Sequence, residues 1–293
     1  MELNRILVLI RGAGDLASGV AARLHRCGFP VVMTELPQPL MVRRMVCFGE
    51  AVYQGEMAVE GIVARRVPDV TAARQALAER IIPILVDPLA AYRAELAPHV
   101  LVDGTMAKHN TGVACTRRFD APLVIGLGPG FTAGSDCHAV IETQRGHWLG
   151  RVYWQGATLP DTGVPGESGG TATATRVLRA PVAGLLAAQA EIGDLMALGQ
   201  LVATVAGSEV RAGCAGVLRG LIRPGVHVTA GVKIGDIDPR GERAHCFTIS
   251  DKSLAVGGGV LEAILTNAQE QRDAEVNRSR KTNVTHLGKC VTS

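Results

Sequence analysis

The chain has 293 residues, of which 47% are hydrophobic, and a formal net charge of only +3. This length predicts two domains with a sizeable core. The low charge and the few aromatics (2 Trp, 3 Tyr, 5 Phe) argue against a nucleic-acid partner. No segment approaches the roughly 20 apolar residues of a membrane span, and the short N-terminal apolar run is unlike a cleavable signal. We therefore expect a soluble, cytoplasmic protein without a membrane partner.

The first elements of the chain form a strand, a glycine turn and a helix. The apolar run of residues 6–10 leads into Gly12 and Gly14, and apolar residues then recur at helical spacing. This order is typical of dinucleotide binding, because the pyrophosphate approaches the second glycine at the N-terminus of the helix. Asp15 brings a negative charge to this position unless its carboxylate points away or caps the helix. The alternative is a turn whose glycines serve packing alone.

Glu35 closes the predicted second strand, residues 31–35. It follows Gly14 by about 20 residues, which is the usual distance to an acid that binds a nucleotide ribose. We therefore predict a nucleotide site formed by Gly12, Gly14 and Glu35.

The next part of the sequence alternates helices with short, wholly apolar strands. This pattern predicts a parallel sheet buried on both faces, with ligand sites at the carboxyl ends of its strands. A predicted hairpin and a long polar connection complete this Rossmann-type domain, assigned to residues 1–175. Its predicted helices are residues 40–52 and 70–80, and its predicted strands are residues 61–67, 81–86, 100–103, 123–125, 139–143 and 149–154.

The pattern changes at residue 176, where short strands end repeatedly in glycine. Residues 177–203 and 212–237 echo each other, which predicts a small β barrel of two similar halves, like a lipoyl or biotinyl domain. Residues 206–211, between the halves, contain no lysine, so we expect no covalent prosthetic group. The predicted divisions are the barrel at 176–240, a helical segment packing back at 241–266 and a disordered tail at 267–293.

A second glycine-rich loop follows the strand at residues 123–125. Its backbone N–H groups are predicted to cradle an anionic cofactor. The glycines assigned to cofactor binding are Gly126, Gly128, Gly130 and Gly134.

Cys137 follows this loop, and a thiolate near its N–H groups would be stabilised for carrying a chalcogen. Asp136 and His138 flank the thiol. Neighbouring strand side chains point to opposite faces, so a Cys–His dyad is not implied. The alternative is a buried structural cysteine. These three residues and Lys108, as a cation, are the predicted catalytic group.

Three other patterns in the sequence bear on function. Lys108, Arg43 and Arg44 could face an anion, or could simply be solvated. Residues 166–170 match G-x-S-x-G, but lie in a polar linker instead of a strand-to-helix turn, which argues against a hydrolase. Seven cysteines occur without a C-x-x-C spacing, so we expect buried thiols and no metal site.

Several segments together resemble one protein family. The chain is similar to the YqeB-like accessory proteins of selenium-dependent molybdenum hydroxylases, relatives of the xanthine dehydrogenase accessory (XdhC/CoxI-like) group. The resemblance spans about residues 5–266. It is carried by residues 14–19, 32–39, 126–142, 145–147, 161–163 and 233–240.

This resemblance implies a role in maturing a molybdenum hydroxylase, by helping to add selenium or sulfur to its molybdenum cofactor. The implied partners are the client hydroxylase and a nucleotide or cofactor. The sequence leaves open whether the chain forms a homo-oligomer. NAD(P), FAD and the molybdenum cofactor remain open as ligands. The alternative function is a stand-alone NAD(P)-linked oxidoreductase, but the sequence offers no Tyr-x-x-x-Lys or similar proton donor.

Overall fold

The fold begins with the predicted strand, turn and helix. The structure, a computed structural model, describes residues 2–107, 109–110, 115–161 and 173–287. Strand β1 (Val8–Arg11) ends at Gly12, helix α1 (Asp15–Arg26) follows Gly14, and strand β2 (Val31–Glu35) comes next. Gly12 has a φ of +82°, and a Cβ there would lie 3.2 Å from the backbone of Gly104. The sharp turn therefore requires glycine at this position.

Nine strands form the large sheet, in the order β10-β9-β7-β6-β1-β2-β5-β4-β3. β1 pairs in parallel with both β2 and β6, whereas the outermost pairs at each edge are antiparallel. The chain builds outward from β1 on one side and returns to its other side at β6. The further strands are β3 (Glu56–Val59), β4 (Ile62–Val67), β5 (Ile82–Val86), β6 (Val100–Asp103), β7 (Leu123–Leu127), β9 (Ala139–Ile141) and β10 (Val152–Tyr153), while β8 (Thr132–Ala133) and β11 (Gly156–Ala157) pair separately.

Helices cover both faces of this sheet. On one face α1 packs against the first half of α6 (Asp251–Leu287), and on the other lies α3 (Val70–Ala78). A Cβ at Gly19 would lie 2.5 Å from Cβ of Ser253, so the absent side chain lets α1 and α6 approach closely. The short helices α2 (Ala51–Gln54) and α4 (Arg93–Leu96) lie in connections.

A second unit of antiparallel strands follows α5 (Thr173–Arg176) and has its own apolar core. It contains two four-stranded sheets, ordered β12-β19-β17-β14 and β16-β15-β13-β18. Val42, Met45 and Tyr53 pack against this core and join the two units. The strands are β12 (Val177–Arg179), β13 (Gly184–Ala188), β14 (Leu195–Met196), β15 (Leu201–Val205), β16 (Ser208–Arg211), β17 (Gly216–Leu221), β18 (His227–Val228) and β19 (Lys233–Asp238).

Two predicted elements differ from the structure. Residues 40–52 contain the 3-10 turns Arg44–Val46 and Phe48–Glu50 before α2, instead of one helix, because Cys47 is extended between them. The helix predicted to end near residue 266 continues to Leu287, where a disordered tail was expected. The residues after 266 include no proline or glycine before Leu287, so nothing in this stretch breaks the helix.

No helix in the described ranges combines the length and hydropathy needed to cross a bilayer. The predicted boundary at residue 175 follows residues 162–172, which lie outside the described residues, as does the G-x-S-x-G pattern at 166–170.

Candidate functional site

A cleft of about 620 Å³ lies at the carboxyl ends of β1, β2, β5 and β6. This is the edge at which parallel α/β sheets bind ligands, and strand order reverses beside β1. The loop after β2 forms one wall, and Lys233 of the antiparallel unit also reaches the cleft. The residues that line the cleft include Arg11, Gly12, Gly14, Asp15, Glu35, Arg43, Cys47, Asp87, Asp103, Thr105, Phe131 and Lys233.

The N-terminus of α1 opens onto this cleft at Gly14. Gly14 has extended backbone (φ −75°), and no side chain caps the helix. A Cβ at Gly14 would meet no atom within 4 Å. The first N–H groups of a helix have no intrahelical partner and attract anions. The position therefore offers both space and donors to an anionic ligand.

Glu35 lies at the end of β2 and points its carboxylate at the glycine turn. Its Oε2 accepts the Ala13 N–H at 2.7 Å, and its Oε1 accepts the Leu36 N–H at 2.7 Å. Burial raises the pKa of Glu35, although these two amides oppose the shift. Each carboxylate oxygen has a second lone pair, so Glu35 can still accept hydrogen bonds from a ligand hydroxyl.

Asp87 adds a second carboxylate at this end of the cleft. Its N–H donates to the Glu35 carbonyl at 3.0 Å, which places the ends of β2 and β5 side by side. Its Oδ2 accepts the Tyr92 N–H at 2.9 Å. The sequence signal was an apolar strand ending in an acid before proline, yet Asp87 was not assigned to the site.

Asp15 is neutralised beside the helix N-terminus. Its Oδ2 accepts Nη1 of Arg43 at 2.8 Å, and its Oδ1 accepts the Ser253 hydroxyl at 2.8 Å. Arg43 also donates to the carbonyls of His245 and Thr248, both at 3.2 Å. The ion pair offsets the negative charge that otherwise opposes an anion here. The sequence left open whether Arg43 faces an anion or is simply solvated. In the structure it lines the cleft and pairs with Asp15.

Arg11 and Asp103 form a buried ion pair at the floor of the cleft. Arg11 Nη1 lies 2.9 Å from Asp103 Oδ2, and Thr116 hydrogen-bonds to both. The other oxygen of Asp103 accepts the N–H and hydroxyl of Thr105, at 3.1 and 2.6 Å. With its polar atoms partnered in this way, the floor is neutral and held in place.

The second glycine-rich loop has its space filled from within. A Cβ at Gly126 would overlap the ring of Phe131, and one at Gly128 would overlap the side chain of Thr143. Of residues 126–138, only Phe131 lines the cleft.

The amide N–H groups of two of these glycines are also engaged. The N–H of Gly128 donates to Ile141 and that of Gly134 to Cys137, both at 2.9 Å, while the Gly130 carbonyl accepts from Asn110. This arrangement argues against the predicted anion cradle at Gly126, Gly128, Gly130 and Gly134, because the glycines serve packing and turns.

The structure also argues against Cys137 as a working thiolate. Its side chain is 0% exposed in the core, and burial raises its pKa to about 12. His138 Nδ1 accepts the Val124 N–H, and Asp136 Oδ2 accepts the Thr132 N–H, each at 2.9 Å. These side chains therefore hold the local backbone. Lys108 lies outside the described residues.

Cys47 is a cleft residue that the sequence reading missed. It is 1% exposed, its thiol donates to the Arg43 carbonyl at 3.2 Å, and burial raises its pKa well above the usual range. These features describe a packed, protonated thiol. Within the described ranges, no group of three or more His, Cys, Asp or Glu side chains is placed to hold a metal ion.

The chain matches no protein-family model. Among solved structures it is similar to TcdA (CsdL), with a TM-score of 0.33, 12% identity and coverage of 91% of this chain and 89% of the other. An aspartoacylase family protein from Mesorhizobium loti gives a TM-score of 0.25 at 12% identity, covering 79% and 84% of the two chains.

Sequence similarity is much stronger to one curated protein from Escherichia coli K12, called uncharacterized protein YqeB. The two are 49% identical over 259 residues, which is 88% of this chain and 47% of that protein. The chain therefore spans about half the length of this relative, whose name agrees with the YqeB-like resemblance of the sequence motifs.

Proposed function

We propose that the cleft binds a nucleotide-bearing cofactor, with the pyrophosphate over Gly14 and a ribose at Glu35. The observation that carries this proposal is the open space above Gly14 at an uncapped helix N-terminus. Glu35 lies on the next strand, with its carboxylate at the same turn. This is the division of labour used by Rossmann-type domains, in which a helix end receives phosphate and an acid receives ribose hydroxyls.

The order of the strands also supports this proposal. A strand order that reverses at β1 is the arrangement of a Rossmann-type domain, and the crevice at the reversal is where such domains bind ligands. We interpret the two antiparallel sheets of residues 177–238 as a lipoyl-like barrel. Residues 206–211 lack a carrier lysine, so we propose that the barrel carries no covalent group. Its role is then to contribute to ligand binding at the cleft.

We further propose that the protein is an accessory factor in the maturation of a molybdenum hydroxylase. The support is the motif resemblance, whose segments at residues 14–19 and 32–39 contribute directly to the cleft. NAD(P), FAD and a nucleotide form of the molybdenum cofactor are the candidate ligands. Cys137 and Cys47 are both buried and protonated, so no cysteine described above is assigned to a selenium or sulfur transfer step.

The test begins with mass spectrometry of small molecules that co-purify with the native protein. Calorimetry with NAD, NADP, FAD and molybdopterin cytosine dinucleotide then measures affinity directly. In Gly14→Val, the added side chain enters open space, so the fold should persist while the pyrophosphate position is blocked. We expect binding to fall by more than about 100-fold, equivalent to losing the charge-assisted contacts of the phosphates.

Gly258→Val provides the matched control. Gly258 also has open space for a Cβ and lies in α6, away from the residues that line the cleft. The Gly258→Val variant should bind the nucleotides with the affinity of the wild type. If Gly14→Val bound these nucleotides as tightly as the wild type, the proposed nucleotide site would be wrong. Normal hydroxylase activity in a host lacking this protein would separately remove the maturation role.

A further inference from the structure

The charged side chains that line the cleft differ in whether they have an ion-pair partner. Arg11 is paired with Asp103, and Arg43 is paired with Asp15. Glu35 and Asp87 have no cation within ion-pairing distance among the described residues; backbone N–H groups donate hydrogen bonds to their carboxylates. The side chains of Arg11 and Arg43 are also only 7% and 10% exposed, so the more accessible cation of the described lining is a lysine.

Lys233 is that residue, and it comes from the antiparallel unit. It is the first residue of β19, and its Nζ lies 3.3 Å from Asp236 Oδ1. The other oxygen of Asp236 lies 2.8 Å from Nη2 of Arg176. One carboxylate thus faces two cations, one on each of its oxygens.

The two cations differ in access to the cleft. The side chains of Arg176 and Asp236 are 7% and 3% exposed, whereas that of Lys233 is 35% exposed and lines the cleft. Arg176 therefore holds Asp236 from inside the protein, and Lys233 is the cation of this cluster that a ligand in the cleft can reach. A lysine ammonium can rotate its three donors toward a phosphate without giving up its position.

From this geometry we propose that Lys233 is the phosphate-binding cation of the cleft, so that the site is complete only with the antiparallel unit in place. The inference rests on the proposed nucleotide function and defines how the nucleotide lies. Phosphates are directed toward Lys233 and Gly14, and ribose hydroxyls toward Glu35 and Asp87. The ligand class is a nucleoside diphosphate or a dinucleotide joined by pyrophosphate.

The proposal is tested by comparing the affinities of ADP and adenosine in calorimetry. These probes share the base and ribose and differ only in the phosphates. Wild-type protein should bind ADP more tightly than adenosine. Lys233→Met should weaken ADP binding about tenfold, the value of one charge-assisted hydrogen bond, and leave adenosine unchanged.

Two further variants isolate the charge. Lys233→Arg retains a cation and should recover most of the ADP affinity. Arg211→Met removes a cation from β16, outside the cleft lining, and should change neither affinity. Asp236 keeps Arg176 in the Lys233 variants, so their melting temperatures should stay close to that of the wild type.

The outcomes separate the two proposals. If Lys233→Met binds ADP as tightly as the wild type, the lysine assignment is overturned while nucleotide binding stands. Equal wild-type affinity for ADP and adenosine would overturn the phosphate site. If the wild type binds neither probe nor any dinucleotide, the nucleotide function fails as well.

Discussion

The turn after β1 and the loop after β7 are both rich in glycine and follow buried strands of one sheet, but their glycines do different things. Gly14 leaves its Cβ position empty at an uncapped helix. Gly126 instead makes room for Phe131, whose ring occupies the space where its Cβ would lie. Glycine content alone therefore does not identify an anion site. The deciding feature is whether the space freed by the missing side chain is open or already filled.

The largest effect that tests this comparison is on stability. Gly126→Ala places a Cβ into the ring of buried Phe131 and should lower the free energy of unfolding by about 3 kcal/mol. Gly14→Ala enters open space and changes only the helix N-cap, so its cost should be no more than about 1 kcal/mol. Urea denaturation of both variants measures the difference. Equal losses would contradict the distinction between a filled and an open turn.

The open turn also predicts a choice between dinucleotides. Glu35 and Asp87 lie side by side at its acidic end, where a ribose 2′-phosphate would be repelled. NAD should bind at least about tenfold more tightly than NADP, because acids in this position accept ribose hydroxyls. Glu35→Gln should reduce this ratio in calorimetric titrations. A preference for NADP in the wild type would show that the ribose lies elsewhere.

The filled loop predicts a thiol that serves packing alone. Burial holds the pKa of Cys137 at about 12, so iodoacetamide at about pH 8 should label exposed Cys27 far faster. Cys137→Ala should cost about 1 kcal/mol of stability through the small cavity it leaves. Its nucleotide affinity should match that of the wild type. Rapid labelling of Cys137 in the folded protein, followed by peptide mass spectrometry, would contradict this account.

The sequence predicted the open turn well because its signals are local. An apolar strand, two glycines and a helix occur within about 20 residues, and Glu35 follows at a distance set by one helix and one strand. The same reasoning failed at Gly126 because the pattern cannot show that Phe131 turns back beneath the strand. Residues 267–287 were misjudged because they lack an apolar face, although nothing there breaks a helix.

The presence of Lys233 at the cleft could not be predicted from the neighbouring sequence, for a different reason. It lies more than 200 positions after Gly14, and only the packing of the antiparallel unit against Val42 and Met45 brings it to the cleft. Its segment, residues 233–240, carried part of the family resemblance, but the sequence offered no reason for its residues. The structure supplies one in the ion pairs of Asp236 with Arg176 and Lys233.

The smallest effect expected is a pH dependence confined to the open turn. Burial raises the pKa of Glu35, so its carboxylate takes up a proton at a higher pH than an exposed glutamate does. The protonated group loses acceptor capacity for ribose hydroxyls. Affinity for NAD should therefore decrease a few-fold as the pH falls from about 7 to about 5. Glu35→Gln should bind more weakly throughout and show a flatter profile. A wild-type profile as flat as that of the variant would separate Glu35 from ligand binding, and would leave the open space at Gly14 as the remaining support for the site.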